Sequence, residues 1–442
     1  MKRTAGSVVA VLAGLGLLFW TAAPAAMARP AAQQEHQQQP AYTLAEYNAY
    51  QQAASEKNPQ QRLKLLDDFV EKFPKSTLLP YVYALYVETY RQLNQQDKVI
   101  VYADKLIENA NSLDPQSRPV TVLQALYARE VAFNMVFNEK APDAAQQAER
   151  ARDLARQGLQ MVQELKKPAN VSEEQFNQAR QQMQALFDYT AGVASLFLKD
   201  YRNAQQFLRA ALNDDPKNAV TWFRLGIAYL QDSPPQWMNG FWALARAIAL
   251  KTEIEPQVRS YLRQEMLLYQ KPACQNLLDD EMNQLLQAAA ASQSAEAPAD
   301  LKFPSADDLA KYLQDSNLFT IMQDLQAGGD KAHLAWLAAC GNEFPDVPVK
   351  IIDITPTADG AVLRVYAGST PEDIQKATTA NMEVKVTEQP DAQRLHKDDI
   401  VRFTGTLVSY DPPPSFLLHW DKAKVNPEDI PPATGPRRRG SR

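Results

Sequence analysis

Apolar residues from about position 44 to position 285 recur at steps of three and four, the spacing of one face of an α-helix. Proline interrupts this rhythm at Asn58-Pro59, at Pro74 and at Asp215-Pro216. Because proline disfavours helical geometry in the residue before it and has no amide hydrogen, each of these places separates two helices. The pattern predicts a series of amphipathic helices joined by short turns.

Two stretches in the middle of the chain repeat each other. Gly192 and Gly226 stand at equivalent places, 34 residues apart. A period of this length is typical of helix pairs that stack into a solenoid, because no pair can bury its apolar face alone. Small residues at these places let two helices cross closely, and large apolar residues fill the space around them. Fainter copies upstream raise the expected number of pairs to between four and six.

The region 187–230 resembles the tetratricopeptide repeat (TPR) family. The second helix of the earlier unit has Ala204, Leu208 and Ala211 and is followed by Pro216. The first helix of the later unit has Trp222, Leu225, Gly226 and Tyr229. These are the positions on which the resemblance depends. Asp188 and Ser195 depart from the pattern, since they stand where Trp222 and Tyr229 stand one unit later. The insertion Ser233-Pro234-Pro235 delays the next helix. An unrelated helical bundle is the alternative.

The resemblance implies that the first helix of each pair lines an inner groove. This groove is apolar and lacks the Lys and Asn residues with which some TPR proteins clamp a carboxylate, so we expect no recognition of an acidic chain terminus. Either an apolar segment of a partner protein binds there, or residues 300–340 of the chain itself fill it. The predicted groove residues are Tyr189, Val193, Leu196, Phe223, Ile227 and Leu230.

The start of the chain has the features of a bacterial secretory signal. Lys2 and Arg3 precede an apolar run that is too short to span a bilayer, and Ala26-Met27-Ala28 offers a cleavage site. We therefore predict a signal peptide at 1–28 and a disordered leader at 29–40, in a protein that is periplasmic or secreted; a retained anchor is the alternative. Cleavage takes the net charge from −6 to −8. No later segment is expected to cross a membrane.

The spacing of apolar residues changes from helical to alternating toward the end of the chain. The helical-repeat domain is predicted at 41–285, a linker or a fraying helix end at 286–304, and a short helical segment at 305–345. After that, strands alternate apolar and polar residues, and Asp359-Gly360 marks a hairpin. This all-β domain, 346–431, resembles an OB-type barrel, with a sandwich as the alternative. A disordered basic tail is predicted at 432–442. The expected fold class is mainly α, a TPR-like α-solenoid of antiparallel helix pairs followed by this small β domain.

Candidate chemistry is sparse. Four histidines are scattered along the chain, and no metal-binding spacing, nucleophile elbow or phosphate-binding glycine loop is present. We predict no catalytic, metal or cofactor site and no enzymatic activity. In an exported protein, the two cysteines, Cys274 and Cys340, form either a disulfide or two independent thiols, and the sequence leaves both open.

The predicted function is a non-catalytic protein-interaction or assembly scaffold of the bacterial cell envelope. The alternative is a nucleic-acid or other ligand-binding module in the OB-like domain, where aromatic residues could stack on bases. Residues 347–431 contain nine Lys and Arg against thirteen Asp and Glu, a net charge of −4, so we do not expect nucleic-acid binding. The aromatic and histidine positions considered are Phe403, Tyr410, Phe416, His419 and Trp420.

Overall fold

A computed structural model describes residues 42–292 and 294–432, so the predicted signal peptide, leader and basic tail lie outside the described residues. The fold class is as predicted: a mainly α chain whose antiparallel helix pairs are followed by a five-stranded closed barrel. Of the described residues, 42–255 and 294–297 form one compact unit, and 256–292 and 298–432 form a second.

The first unit has ten α-helices in its described residues, arranged as five successive pairs, which lies within the expected range of four to six. Each helix packs mainly on its neighbours along the chain. The helices are α1 Leu44–Ser55, α2 Pro59–Lys72, α3 Leu79–Gln92, α4 Gln96–Glu108, α5 Arg118–Val136, α6 Ala144–Glu164, α7 Glu173–Phe197, α8 Tyr201–Asp214, α9 Ala219–Leu230 and α10 Trp237–Ala249.

Side-chain caps explain where several of these helices begin. The Asn58 side chain accepts hydrogen bonds from the amides of Gln60 and Gln61, and Pro59 occupies the first position of α2, where no amide hydrogen is needed. Ser172 forms a capping box at the start of α7, since its hydroxyl accepts from the Gln175 amide. The starts of α2 and α7 are therefore determined by local contacts.

The insertion before α10 is an ordered connection. Asp232 Oδ2 accepts hydrogen bonds from Gln205 Nε2 at 3.1 Å and from Gln236 Nε2 at 3.0 Å. Gln236 Nε2 also donates to Gln205 Oε1 at 3.0 Å, and the backbone N–H of Gln236 donates to the backbone carbonyl of Tyr229. This polar network ties the connection to α8 and sets the point at which α10 begins.

The second unit begins with five helices: α11 Glu255–Gln270, whose first residue belongs to the first unit, α12 Leu277–Ala291, α13 Ala306–Asp315, α14 Leu318–Ala327 and α15 Gly329–Ala339. The sequence assigns α11 and most of α12 to the repeat domain, but their contacts group them with the barrel. The predicted linker at 286–304 begins inside α12. Three short helices occupy the segment expected at 305–345.

The described barrel has five strands and one short α-helix: β1 Glu343–Pro356, β2 Ala361–Tyr366, α16 Pro371–Lys376, β3 Met382–Val386, β4 Ile400–Asp411 and β5 Leu417–Val425. Its strand order is β1-β2-β3-β5-β4, and it closes because β4 also pairs with β1. Strands β3 and β5 are parallel, and the other pairs are antiparallel. This is the arrangement of an OB barrel, so the sandwich alternative is wrong.

The barrel core includes side chains from the short helices before it. Ile321, Met322 and Leu325 of α14 and Ala335 and Ala339 of α15 are buried in the same apolar cluster as the inward-facing residues of the strands. Segment 305–340 therefore buries apolar side chains of these two helices against the barrel of its own unit.

A disulfide joins Cys274, in the connection between α11 and α12, to Cys340 at the end of α15. Their α-carbons are 5.8 Å apart, and 66 residues separate them along the chain. Both cysteines belong to the second unit. The bond therefore links the first helices of this unit to the helix that leads into the barrel.

Candidate binding surface

The predicted groove residues lie on α7 and α9, the first helices of the last two pairs of the first unit. Tyr189 and Leu196 of α7 and Phe223 and Ile227 of α9 are partly exposed. These two helices contact each other. The structure therefore keeps four apolar side chains at the surface of adjacent first helices. The other two predicted groove residues, Val193 and Leu230, are 5% and 6% exposed.

Close packing with α10 explains why Leu230 is buried. A Cβ atom added to Gly240 would stand 2.5 Å from Leu230 Cγ, so the leucine side chain rests directly on the glycine. The resemblance to TPR proteins predicts this position in the groove. Here the absence of a side chain at Gly240 lets Leu230 pack between helices instead.

The opposite faces of α7 and α9 hold the surface in place. Phe187, Ala191 and Ala194 of α7 are fully buried, as are Leu225 and Ala228 of α9. These positions recur at helical spacing, so burying them fixes the rotation of each helix. The partly exposed residues are then presented outward as a consequence of core packing.

A buried carboxyl group belongs to the residue that precedes Tyr189 in the sequence. Asp188, next to Tyr189, is 9% exposed, and burial together with the charge of Asp214 raises its pKa to about 7. Burial likewise raises the pKa of Asp214. Asp188 stands where Trp222 stands in the next unit, so this departure from the repeat places an ionisable group at a core position.

An aromatic cluster on α3 and α4 is a second feature of the unit. The rings of Tyr86 and Tyr102 stack with their centroids 4.0 Å apart, and Tyr90 stacks on Tyr102 at 5.4 Å. Lys105 Nζ lies 4.8 Å from the centroid of the Tyr102 ring. Burial raises the pKa of Tyr86, as does its hydrogen bond to Asp67. The rings and the lysine thus contact one another, and we infer that this cluster stabilises the packing of α3 on α4.

A buried ion network connects α4, α5 and α6. Arg129 and Glu130 are 2% and 0% exposed, and Arg129 Nη1 donates to Glu130 Oε1 at 3.0 Å. Asp104 accepts from Arg129 Nε at 3.3 Å and from Arg150 Nε at 3.2 Å. Burial raises the pKa of Glu130 to about 8 despite the arginine. The sequence analysis did not single out these residues; the adjacent Arg-Glu pair inside an apolar helix was the available signal.

The aromatic positions of the β domain do not form one exposed platform. Phe403 and Trp420 are 1% and 2% exposed and contact each other edge to face in the barrel core. Tyr410 lies between Trp336 and Phe416, with ring centroids 5.0 and 6.4 Å away. All of these rings contribute to the barrel cluster or pack against it.

Several charged side chains on the outside of the barrel form ion pairs. His419 lies between Asp411, 3.0 Å from Nε2, and Glu383, 3.5 Å from Nδ1. Arg364 Nε is 3.5 Å from Glu383 Oε2. This face therefore mixes both signs, whereas a phosphate backbone requires a basic groove. Within the residues described, no group of three or more His, Cys, Asp or Glu is placed to hold a metal ion.

No protein-family model matches this chain, and a search of curated proteins finds no match either. Among the described helices, none is both long enough and apolar enough to cross a membrane.

Proposed function

We propose that the protein is a non-catalytic scaffold of the bacterial cell envelope that binds a partner protein on the first-helix surface, defined as Tyr189, Leu196, Phe223 and Ile227. The observation that carries this proposal is the partial exposure of these apolar side chains on α7 and α9, beside neighbours that are fully buried. The export signal predicted from the sequence supports the envelope location, and the 34-residue period supports assignment to the TPR family.

The chemistry of the surface points to an apolar partner segment. Aromatic and branched aliphatic side chains at helical spacing fit the apolar face of a helix or an extended apolar stretch. Segment 300–340, the candidate internal occupant, contributes apolar residues of α14 and α15 to the barrel cluster. This favours a separate partner as the occupant of the first-helix surface.

Site-specific photocrosslinking of the full mature chain in envelope extracts tests the proposal. A photoreactive residue at Leu196 or Ile227 should give one discrete adduct, and the same residue at Ile400 or Val408 of the barrel is the control, since those side chains are 55% and 43% exposed. Adduct formation should fall at least tenfold when Phe223→Glu is combined with the probe at Leu196. Identical adducts from surface and control positions, or none from the surface, would contradict the proposal.

A further inference from the structure

The last helix of the first unit is buried all around its circumference. Every residue of α10 from Phe241 to Ile248 is at most 7% exposed, including Arg246. A helix at the end of a solenoid has no following pair to cover it, so an apolar outer face needs a cap. Part of the cover comes from residues 294–297, which return to the first unit after α12.

Residues 294–297, hereafter the strap, contact α8 and α10 through specific polar groups. Trp242 Nε1 donates a hydrogen bond to the Ser294 carbonyl at 3.0 Å. The amide of Ala297 donates to Asn239 Oδ1 at 3.2 Å. Arg209 Nη1 is 2.7 Å from Glu296 Oε1. The first unit therefore binds one backbone carbonyl and one backbone amide of the strap, and Arg209 binds the one carboxylate of the strap.

The strap bends at residues 295 and 296, where the Ser294 hydroxyl accepts from the Glu296 amide and donates to the Glu296 carbonyl. We propose that Arg209, Asn239 and Trp242 form a recognition site for a bent peptide that has a carboxylate two residues after the carbonyl bound by Trp242. The strap is its resident ligand. A partner that binds here presents an acidic segment with the same bend and the same chemistry and displaces the strap. The site lies on α8 and α10, the second helices of their pairs, and is therefore separate from the first-helix surface.

The contacts suit an exchangeable ligand. The Trp242 side chain is fully buried, so its indole N–H requires an acceptor, which a backbone carbonyl of the ligand can supply. The ion pair is open to solvent, with Arg209 and Glu296 side chains 40% and 66% exposed, so it selects an acidic ligand without holding it tightly. Covalent attachment keeps the strap at a high effective concentration, which lets a weak site stay occupied.

Hydrogen exchange of the Ala297 amide in the full chain tests the proposal. Arg209→Glu or Glu296→Arg alone should speed exchange about two- to fivefold, and the double variant should restore the original rate. Trp242→Phe removes the indole donor but keeps a ring, and should speed exchange about tenfold. Arg263→Glu is the control, because that residue forms a similarly exposed ion pair with Asp279, at 3.1 Å, in the second unit.

A free peptide of residues 290–300 tests recognition in trans. At millimolar concentration it should speed exchange of the Ala297 amide in the wild-type chain, and a peptide with Glu296→Arg should act more strongly on the Arg209→Glu variant than on the wild type. The proposal fails if the Ala297 amide of the wild type exchanges as fast as in the free peptide. It also fails if the double variant does not restore protection, or if the wild-type peptide leaves exchange unchanged.

Discussion

The α-carbon of Gly226 lies against the side chain of Leu244: an added Cβ atom would stand 2.7 Å from Leu244 Cδ2. Gly192 has the same relationship with Leu208, whose Cγ would also be 2.7 Å from an added Cβ. The two glycines are 34 residues apart, and the two leucines are 36. The additional residues lie in the connection that contains Ser233-Pro234-Pro235, so the helix crossing is the same in both pairs although the loop lengths differ.

Gly226→Ala should therefore destabilise the first unit by about 1–3 kcal/mol, because the methyl group must displace a fully buried leucine. The higher helix propensity of alanine, worth about 1 kcal/mol, offsets part of this cost. Urea unfolding followed by helical circular dichroism measures the change.

A double-mutant cycle identifies the cause. Leu244→Ala alone should cost about 2–5 kcal/mol, and the Gly226→Ala/Leu244→Ala variant should cost less than the sum of the single variants, since the new methyl group partly fills the cavity. Strict additivity would show that the two residues are not in contact.

Removing the disulfide should destabilise the second unit. A bond that closes a loop of 66 residues restricts the unfolded chain, and a loop of this length corresponds to about 4 kcal/mol. The Cys274→Ser/Cys340→Ser variant should have a lower thermal midpoint, and reductant should lower that of the wild type to match. Because the chain has only two cysteines, reductant should leave the variant unchanged. Alkylation of both cysteines in unreduced native protein would contradict the bond.

The contact between His333 and Glu281 should make stability depend on pH. His333 Nε2 is 2.8 Å from Oε1 of Glu281, whose side chain is 1% exposed. That hydrogen bond raises the pKa of His333, and the charges of Glu281, Asp330 and Asp280 add to the effect. Since the pKa is higher in the folded state, the stabilisation is complete below the unfolded value of about 6.5 and is lost as the pH rises through the folded value.

His333→Gln should accordingly lower Tm by about 2–4 °C at pH 5.5 and by progressively less at higher pH. His396→Gln, at a side chain that is 77% exposed, is the matched control and should show a smaller difference. A difference in Tm between the wild type and His333→Gln that grows between pH 6 and pH 9 would contradict the prediction.

Asp188 should also make stability fall as the pH rises, but in the first unit and over a lower pH range. Its pKa is raised from 3.8 to about 7, so the folded state binds a proton that the unfolded state releases. Stability therefore falls as the pH rises from about 4 to about 7 and then levels off. Asp188→Asn should be more stable than the wild type by roughly 2–4 kcal/mol at pH 8, with little difference at pH 4. Asp153→Asn, at a 67% exposed side chain, should change neither value, and an unchanged pH profile in Asp188→Asn would reject the assignment.

Spacing along the chain predicts a large part of this fold. The three- and four-residue steps place the helices of the first unit, and Asn58-Pro59 and Asp215-Pro216 mark their boundaries. Asp359-Gly360 likewise predicts the hairpin, in which Pro356 pairs with Ala361. These features depend on residues within one or two turns of each other, so no distant contact is needed to infer them.

The candidate site is predicted less completely. Four of the six groove positions are partly exposed, but Leu230 is buried because Gly240, in the next helix, leaves space for it. The groove positions follow from the first helix of a typical pair, which does not specify the contact that Leu230 makes with Gly240. The exposed fraction of a side chain therefore follows from the neighbouring helix as much as from its own position in the repeat.

Contacts between residues far apart in the sequence are determined only by the tertiary structure. The return of Glu296 to Arg209, the bond between Cys274 and Cys340, and the burial of Phe403 against Trp420 have no local signal. Periodicity gives the face of a helix or strand that is apolar, but not the surface that covers it. Helices α11 and α12 have the same apolar rhythm as the repeat and nevertheless belong to the second unit, because partner choice depends on shape and chain path in three dimensions.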